Sequence, residues 1–204
     1  MRLFVFEATT EKQLDIASRC HHDWYVQAGY IIPRPYGKYL DEWSEHSKYF
    51  LVTESGKSNN VMKKHVVGLV RLILTAPFPI NVHFALWEQV RSEIQNIPLE
   101  NQCEVTALCW AHKCRVQVFP YLVRAIRQCT NELNKSIIWA CLDKRIIPIL
   151  HGQMLPFHLC GETRFYMGSD TIPLFMKPSE VIASLPQKNP ELYKIIEKEL
   201  EVLI

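Results

Sequence analysis

The chain has 204 residues, of which 48% are hydrophobic and 22% are charged, so it is long enough and apolar enough to bury one folded core. Its 23 basic and 21 acidic residues give a formal charge of +2, which does not favour nucleic-acid binding. The apolar runs are shorter than the roughly 18 residues of a membrane span, and the N-terminus does not have the pattern of a secretory signal. We therefore expect a cytoplasmic globular protein.

The seven cysteines are scattered and mostly lie in apolar patterns, which is typical of small buried side chains in a reducing compartment. A cysteine–histidine nucleophile and a zinc site are the alternatives, but neither has the usual spacing of ligands or partners. We therefore expect no metal. The residues considered for these two alternatives are Cys20, His21, His22, Cys109, His112, Cys114, Cys141 and His151.

The first half of the chain predicts a strand, a helix and a hairpin. Residues 1–8 are strand-like, and Thr10 to Gln13 has the form of a capping box that opens a helix ending near Gly29. After a proline-broken segment, residues 37–46 are polar, aromatic and acidic. Residues 48–53 and 65–75 then predict the two strands of a hairpin. The apolar stripe of the helix comprises Leu14, Ala17, His21, Trp24 and Ala28.

The second half predicts an alternation of strands and helices. We expect helices over 82–94 and 144–154, strands over 103–110 and 137–142, and one or two strands within 157–178. A long helix is expected with Pro120 in its first turn and Phe119, Leu122, Ile126, Cys129 and Leu133 inside. Residues 186–190 are interpreted as a linker before a last helix that begins at Asn189-Pro190.

Two strand-like segments each contain one charge among apolar neighbours. These charges are Arg71 in residues 65–75 and Glu104 in residues 103–110. Removing a charge from water costs several kcal/mol unless it is compensated, so each needs a partner or a chemical task.

The order of elements and three sequence features give the chain a resemblance to the N-acetyltransferase-like (GNAT) fold over residues 1–180. The features are the acidic-aromatic segment at 41–46, the strand from Gly68 to Thr75 with Arg71, and Glu104 opening the next strand. More narrowly, the chain resembles the bacterial N-acyl amino acid synthases and, more distantly, the acyl-homoserine lactone synthases. The resemblance implies an α/β (α+β) protein with a mixed, mainly antiparallel central sheet and helices on both faces. Residues 181–204 would form a C-terminal helical extension that packs on the domain or on a partner.

The resemblance implies an N-acyltransferase that moves a long-chain acyl group to the α-amino group of an amino acid or related amine. The lactone synthases carry an arginine three residues beyond the glutamate, where this chain has Ala107, which favours the amino-acid-acylating relatives. Coenzyme A-dependent members carry a glycine-rich turn after this strand, whereas residues 110–118 contain no glycine. The implied donor is therefore the acyl-phosphopantetheine of acyl carrier protein, with no permanently bound cofactor.

The resemblance also assigns roles to individual residues. Glu104 would be the general base, and Arg71 would pair with Glu104 or an acid of 41–45, hold the substrate carboxylate, or simply fix packing as a buried ion pair. Residues expected to bind substrate are Asp41, Glu42, Trp43, Glu45, Trp110, Phe119 and Trp139. An acidic carrier protein would meet a basic rim of Lys113, Arg115, Arg124, Arg127, Lys144 and Arg145, although these charges could equally be solvated helix residues.

Three alternatives remain open. They are a lactone synthase, a coenzyme A-dependent acyltransferase, and a non-catalytic module that binds acyl carrier protein or lipid. A basic rim also allows membrane contact without indicating it.

Overall fold

The computed structural model describes residues 3–54, 61–111 and 115–198, in which eight strands form one mixed sheet. The strand order is β1-β2-β3-β4-β5-β8-β6, and β7 pairs with β8. The described pairs are antiparallel except β4 with β5, which is parallel. The strands are β1 Phe4–Glu7, β2 Ser47–Thr53, β3 Val66–Ile73, β4 Gln102–Trp110, β5 Ile137–Asp143, β6 His158–Leu159, β7 Arg164–Tyr166 and β8 Ser169–Met176.

Helices cover both faces of this sheet, as predicted. Buried side chains of α1, α2 and α3 pack on one face, and those of α4 to α7 pack on the other. None of the described helices is both long and apolar enough to cross a membrane. The helices are α1 Glu11–Gln27, α2 Pro79–His83, α3 Glu88–Ile94, α4 Arg115–Glu132, α5 Ile147–Gly152, α6 Pro178–Lys188 and α7 Pro190–Ile196.

The capping box at the start of α1 is confirmed. Thr10 Oγ1 accepts a hydrogen bond from the Gln13 amide at 3.3 Å, and Gln13 Oε1 accepts one from the Thr10 amide at 3.0 Å. These bonds satisfy two backbone donors that a helix start leaves without partners. The helix then buries Ala17, Cys20 and His21 against the sheet, which places a histidine on its inner face.

Several helix predictions need correction, and proline is the main reason. Helix α4 begins at Arg115, so Pro120 lies inside the helix rather than in its first turn. The predicted linker is absent from this part of the described chain, because α6 runs from Pro178 to Lys188 and contains Pro186. The expected helix over 82–94 is two shorter helices, α2 and α3, with Leu86 between them forming an isolated bridge to Gly161.

Strand β4 has a bulge that redirects its second half. Leu69 pairs with Cys109 and Arg71 pairs with Thr106, so two residues of β4 face the single residue Val70. One of these two, Ala107, has a φ of 48°. The parallel pairing of β4 with β5 stops at Val105 and Ala140, although both strands continue. The two strands therefore diverge and leave a cleft in the middle of the sheet.

Candidate active site

Glu104 lies at the base of this cleft and is fully buried. One carboxylate oxygen, Oε2, accepts a hydrogen bond from the Ile80 amide at 2.8 Å, whereas the buried Oε1 has no protein partner. Burial raises the pKa of Glu104 to about 8, and this effect exceeds the opposing hydrogen bonds from the Ile80 amide and the Cys141 thiol. The carboxyl group can therefore exchange a proton near neutral pH, which is the property that a general base needs.

Arg71 lies on the same face of the adjacent strand and is held by an acid of the predicted 41–45 segment. Its Nη1 and Nη2 donate to the two oxygens of Asp41 at 2.7 and 2.6 Å, and its Nε donates to Ser47 Oγ at 2.9 Å. Although burial opposes its charge, the hydrogen bonds to Asp41 raise the pKa of Arg71 above its usual value. Of the partners considered for Arg71, the structure places Asp41 in bidentate contact.

A cavity of about 120 Å³ extends from Arg71 and Glu104 towards α1 and the β7–β8 hairpin. It contains Glu104, Arg71 and Asp41 together with several aromatic rings. We call it the polar cavity. Its lining residues are His21, Tyr25, Tyr30, Tyr39, Asp41, Trp43, Arg71, Ile73, Pro79, Glu104, Thr106, Ala107, Leu108, Cys109, Cys141, Leu142, Asp143, Ile146, Tyr166, Met167, Ser169 and Thr171.

A second cavity, of about 60 Å³, lies on the opposite face of the sheet under α4. We call it the apolar cavity, because aliphatic and aromatic side chains dominate its lining. Leu108 of β4 and Leu142 of β5 line both cavities, so the two spaces lie on either side of the cleft where these strands diverge. The remaining lining residues are Val105, Phe119, Val123, Ile126, Arg127, Thr130, Ile138, Ala140, Leu150, Leu155, Met176, Pro178 and Val181.

The aromatic residues predicted to bind substrate lie in different parts of the structure, namely the polar cavity, the apolar cavity and the core. Trp43 lines the polar cavity and donates through Nε1 to the Pro77 carbonyl at 2.7 Å. Phe119 lines the apolar cavity and contacts Trp110 edge-to-face at 6.1 Å between ring centroids. Trp139 is a core residue that donates to Gln102 Oε1 at 2.8 Å and, like Trp110, lines neither cavity, so its role in substrate binding stays a prediction.

The charged residues predicted to bind the substrate or the carrier protein also differ in where they lie. Of the three acids, only Asp41 lines the polar cavity, whereas Glu42 and Glu45 are exposed. The expectation that Arg124 is exposed is wrong, because it is buried and donates to the Lys198 carbonyl at 2.8 Å.

Two of the remaining basic residues of the predicted rim pair with acids of the chain. Arg127 is 3.6 Å from Glu197, and Arg145 pairs with Asp143 at 2.6 Å. Lys144 is exposed and Arg115 begins α4, while Lys113 lies outside the described residues.

The cysteine alternatives receive no support from the described residues. Burial raises the pKa of both the Cys109 and the Cys141 thiols above the ordinary value, so neither is poised to form a thiolate. Within residues 3–54, 61–111 and 115–198, no group of three potential ligands is arranged to hold a metal ion.

Sequence reasoning missed the cavity residues contributed by α1 and the strand ends. His21, Tyr25 and Tyr30 come from α1 and the turn that follows it, and Tyr30 donates to Asp143 Oδ2 at 2.8 Å. The available signal was a histidine within the apolar stripe of α1. A buried polar side chain at such a position needs a partner or a ligand.

Comparison with known proteins finds similarity in structure but not in sequence. No family model matches the sequence, and no curated protein matches it either. The structure is similar to the coenzyme A-dependent acyl-homoserine lactone synthase BjaI, with a TM-score of 0.67, 17% identity, and coverage of 91% of this chain and 88% of that one. For FeeM, an N-acyl amino acid synthase from uncultured soil microbes, the TM-score is 0.66 at 14% identity, covering 92% and 99%.

A third match is the acyl-homoserine lactone synthase LasI, with a TM-score of 0.64, 11% identity, and coverage of 87% of this chain and 90% of that one. These three structural neighbours are synthases of the two kinds that the sequence resembles. The predicted mixed, mainly antiparallel sheet with helices on both faces is confirmed. The chain has the GNAT-like fold of the acyl-homoserine lactone and N-acyl amino acid synthases.

Proposed function

We propose that the protein is an N-acyltransferase that moves a long-chain acyl group from a thioester donor to the amino group of an amino acid or related amine. The observation that carries the proposal is Glu104. This residue is buried with one unpartnered oxygen in the lining of the polar cavity, beside the cleft that separates it from the apolar cavity. The fold shared with an acyl-homoserine lactone synthase and an N-acyl amino acid synthase supports the proposal.

The side chains that line the two cavities, rather than the present volumes of about 120 and 60 Å³, suit the two substrates. An acyl chain is stabilised by removal from water at about 25 cal/mol per Å² of apolar surface, and the apolar cavity offers Phe119, Val123 and Ala140 as its walls. The thioester carbonyl would then lie at the cleft beside Leu108 and Leu142. The amine would enter from the polar cavity, where Glu104 lies.

The chemistry needs one proton acceptor. The amine nitrogen attacks the thioester carbonyl carbon, and Glu104 Oε1 takes a proton from that nitrogen directly or through a water. The C–S bond then breaks as the amide forms, and protonated Glu104 returns the proton to the departing thiolate. A carboxyl group with a pKa of about 8 is suited to both transfers.

Arg71 and Asp41 act in this proposal mainly as positioning residues. Their bidentate pair links β3 to the loop that precedes β2 and forms part of the polar cavity wall. Asp41 and Ser47 use three of the five N–H groups of a guanidinium, so contact between Arg71 and a substrate carboxylate would have to use the other two.

Two donors are compatible with the fold. The glycine-free segment after β4 favours acyl carrier protein, since coenzyme A would lack the backbone cradle expected for its pyrophosphate. A specific observation favours coenzyme A as the second candidate, because BjaI is described as coenzyme A-dependent and has a similar fold. The proposal of acyl carrier protein as donor thus depends on the glycine-free sequence of residues 110–118.

The test is a product assay with both donors. Purified protein is incubated with a long-chain acyl carrier protein or the matching acyl-coenzyme A and a mixture of amino acids and amines, and N-acyl products are identified by mass spectrometry. We expect amide product with the carrier-protein donor and at least ten-fold less with coenzyme A. A preference for coenzyme A would overturn the donor assignment. Absence of product with both donors would overturn the enzyme proposal and favour a binding module.

A further inference from the structure

We propose that the α1 side of the polar cavity is a subsite for an uncharged hydrogen-bonding group of the acceptor, a hydroxyl or a carboxamide, and that His21 recognises it. This inference rests on the proposed acyl transfer, because it names the acceptor class of the same cavity. Its starting observation is that His21 lines the cavity and is only 1% exposed, while neither ring nitrogen has a protein partner.

The His21 ring is fixed by aromatic neighbours rather than by hydrogen bonds. It stacks on Tyr39 with ring centroids 4.1 Å apart and contacts Tyr25 edge-to-face at 4.2 Å. The phenol oxygen of Tyr25 is itself occupied, because it accepts the Ala107 amide at 3.2 Å. Buried polar groups in proteins are nearly always hydrogen-bonded. We therefore infer that the two His21 nitrogens bind a ligand, or water that a ligand displaces.

The imidazole of His21 is neutral and therefore has one donor and one acceptor. Burial holds its pKa well below the ordinary value, and the nearby charge of Arg71 acts in the same direction. A hydroxyl or a carboxamide can both give and accept a hydrogen bond, so it can satisfy either nitrogen of a neutral ring. A carboxylate only accepts, and an ammonium only donates. The ring thus matches an uncharged group better than either ion.

The charges around this subsite are already compensated by protein partners. Arg71 is held by Asp41 on one side, and Asp143 accepts from Arg145 and from the Tyr30 hydroxyl on the other. A substrate carboxylate would have to lose its water shell and compete with Asp41 for Arg71, which is costly in a buried site.

A second neutral group lines the same cavity as His21 and Glu104. Thr106 lines the cavity, and its buried Oγ1 has no protein partner. It follows Glu104 by two residues on the same face of β4, a separation of about 7 Å along a strand. An acceptor whose amine is a few bonds from a hydroxyl or carboxamide would therefore place its amine near Glu104 and its neutral group near Thr106 and His21.

The experiment compares acceptors that share one side chain and differ only beside the amine. Tyrosine, tyrosinamide, tyrosinol and tyramine form one such series, and leucine, leucinamide, leucinol and isopentylamine form another. We expect kcat/KM for the amide or the alcohol to exceed that for both the amino acid and the bare amine by about ten-fold, the effect of one well-made hydrogen bond in a buried site. A preference for the amino acid would overturn this inference while leaving N-acyl transfer established.

Two variants locate the recognition at His21. His21→Phe keeps a flat ring and removes both nitrogens, whereas His21→Asn keeps one donor and one acceptor. We expect His21→Phe to raise KM for the amide and alcohol about ten-fold and to change kinetics with tyramine little, and we expect His21→Asn to recover part of the difference. His151→Phe, on the exposed side of α5, is the matched control. An equal loss with every acceptor would show that His21 only packs, and would overturn the assignment.

Binding measurements keep the inference testable if no acceptor is acylated. Calorimetric titration of the wild-type protein with tyrosinamide and with tyrosine reports the subsite without turnover. Tighter binding of tyrosinamide that is lost in His21→Phe would support the subsite while the proposed activity fails. Tighter binding of tyrosine would overturn the subsite directly.

Discussion

Arg71 and Glu104 are two buried ionisable residues on the same face of adjacent strands, but they have opposite surroundings. Arg71 is 1% exposed, and a carboxylate and a hydroxyl satisfy it through three hydrogen bonds. Glu104 is fully buried with one backbone donor on Oε2, while Oε1 has no protein partner and faces a cavity. A compensated buried charge stabilises an arrangement of elements. A buried charge with an unpartnered atom is a candidate for chemistry.

This contrast divides the proposed site into two parts. The Arg71–Asp41 pair holds the cavity wall in place, and Glu104 takes part in the reaction. The Arg71–Asp41 pair joins β3 to the loop before β2 across the wall of the polar cavity. Glu104 lies just before the point where β4 and β5 separate, and it lines the polar cavity on its own face of the sheet. Changes to the two residues should therefore affect different measured quantities.

The largest expected effect is the loss of activity in Glu104→Gln. The amide is nearly isosteric and can still accept from the Ile80 amide, but it cannot take a proton from the amine. We expect kcat to fall by about 10²–10⁴-fold, the usual contribution of a general base. The measurement is the rate of N-acyl product formation at pH 8, with unfolding followed by circular dichroism as the control for structure. Turnover within a factor of three of wild type would remove Glu104 from the mechanism.

A smaller effect, on stability first, is expected for Arg71→Met. This substitution leaves Asp41 partly buried without its guanidinium, so we expect the free energy of unfolding to fall by about 3 kcal/mol, as when one member of a buried pair is removed. The double variant Arg71→Met/Asp41→Asn should be more stable than the single variant, because it no longer buries an unpaired charge. Chemical denaturation of the wild type, the two single variants Arg71→Met and Asp41→Asn, and the double variant measures the coupling. If the double variant is less stable than Arg71→Met, Arg71 does not stabilise the fold by compensating the charge of Asp41.

The pH dependence of stability offers a third comparison. The pKa of Glu104 is about 8 in the folded protein and about 4.5 when unfolded, so between these values the folded state keeps a proton that the unfolded state has released. The contribution of Glu104 to the free energy of unfolding is therefore complete below pH 4.5. As the pH rises from 4.5 to 8 this contribution falls by at most about 1.4 kcal/mol per pH unit, and above pH 8 it no longer changes. Glu104→Gln should gain stability relative to wild type from pH 5 to pH 8 in denaturation experiments. A difference that does not change with pH would mean that the carboxyl group is already ionised at pH 5.

The sequence was sufficient to predict most sheet segments and the two ionisable residues, because both depend on local patterns, but residues 157–178 form three strands rather than the expected one or two. Alternation and capping defined α1, β3 and β4, and a charge inside an apolar strand is visible without a structure. The partner of Arg71 remained open, since the contact spans 30 positions along the chain to Asp41 and depends on how the preceding loop folds. The bulge at Ala107 was not predictable, because it is a property of the register between two strands.

Proline explains most of the helix errors, and long-range packing explains the missed site residues. Pro186 was interpreted as a linker residue because proline removes a helix hydrogen bond, but α6 continues through it while burying Val181 and Leu185. Trp139 was expected in a substrate channel, and its strand position alone could not distinguish a channel from the core. His21 had the same ambiguity on α1, and only the cavity beside it suggests a role.

The smallest expected effect tests the apolar cavity, where Ala140 of β5 lines the space without touching the polar side. Ala140→Leu adds a branched side chain to that lining and should shorten the acyl chain that the cavity accepts. We expect kcat/KM with a long-chain donor to fall about ten-fold and with a short-chain donor to change less than two-fold, because one or a few methylenes of binding are lost. The short-chain donor serves as the internal control for folding and for Glu104. An equal loss with both donors would mean that the substitution disturbs the sheet, and that the acyl chain lies elsewhere.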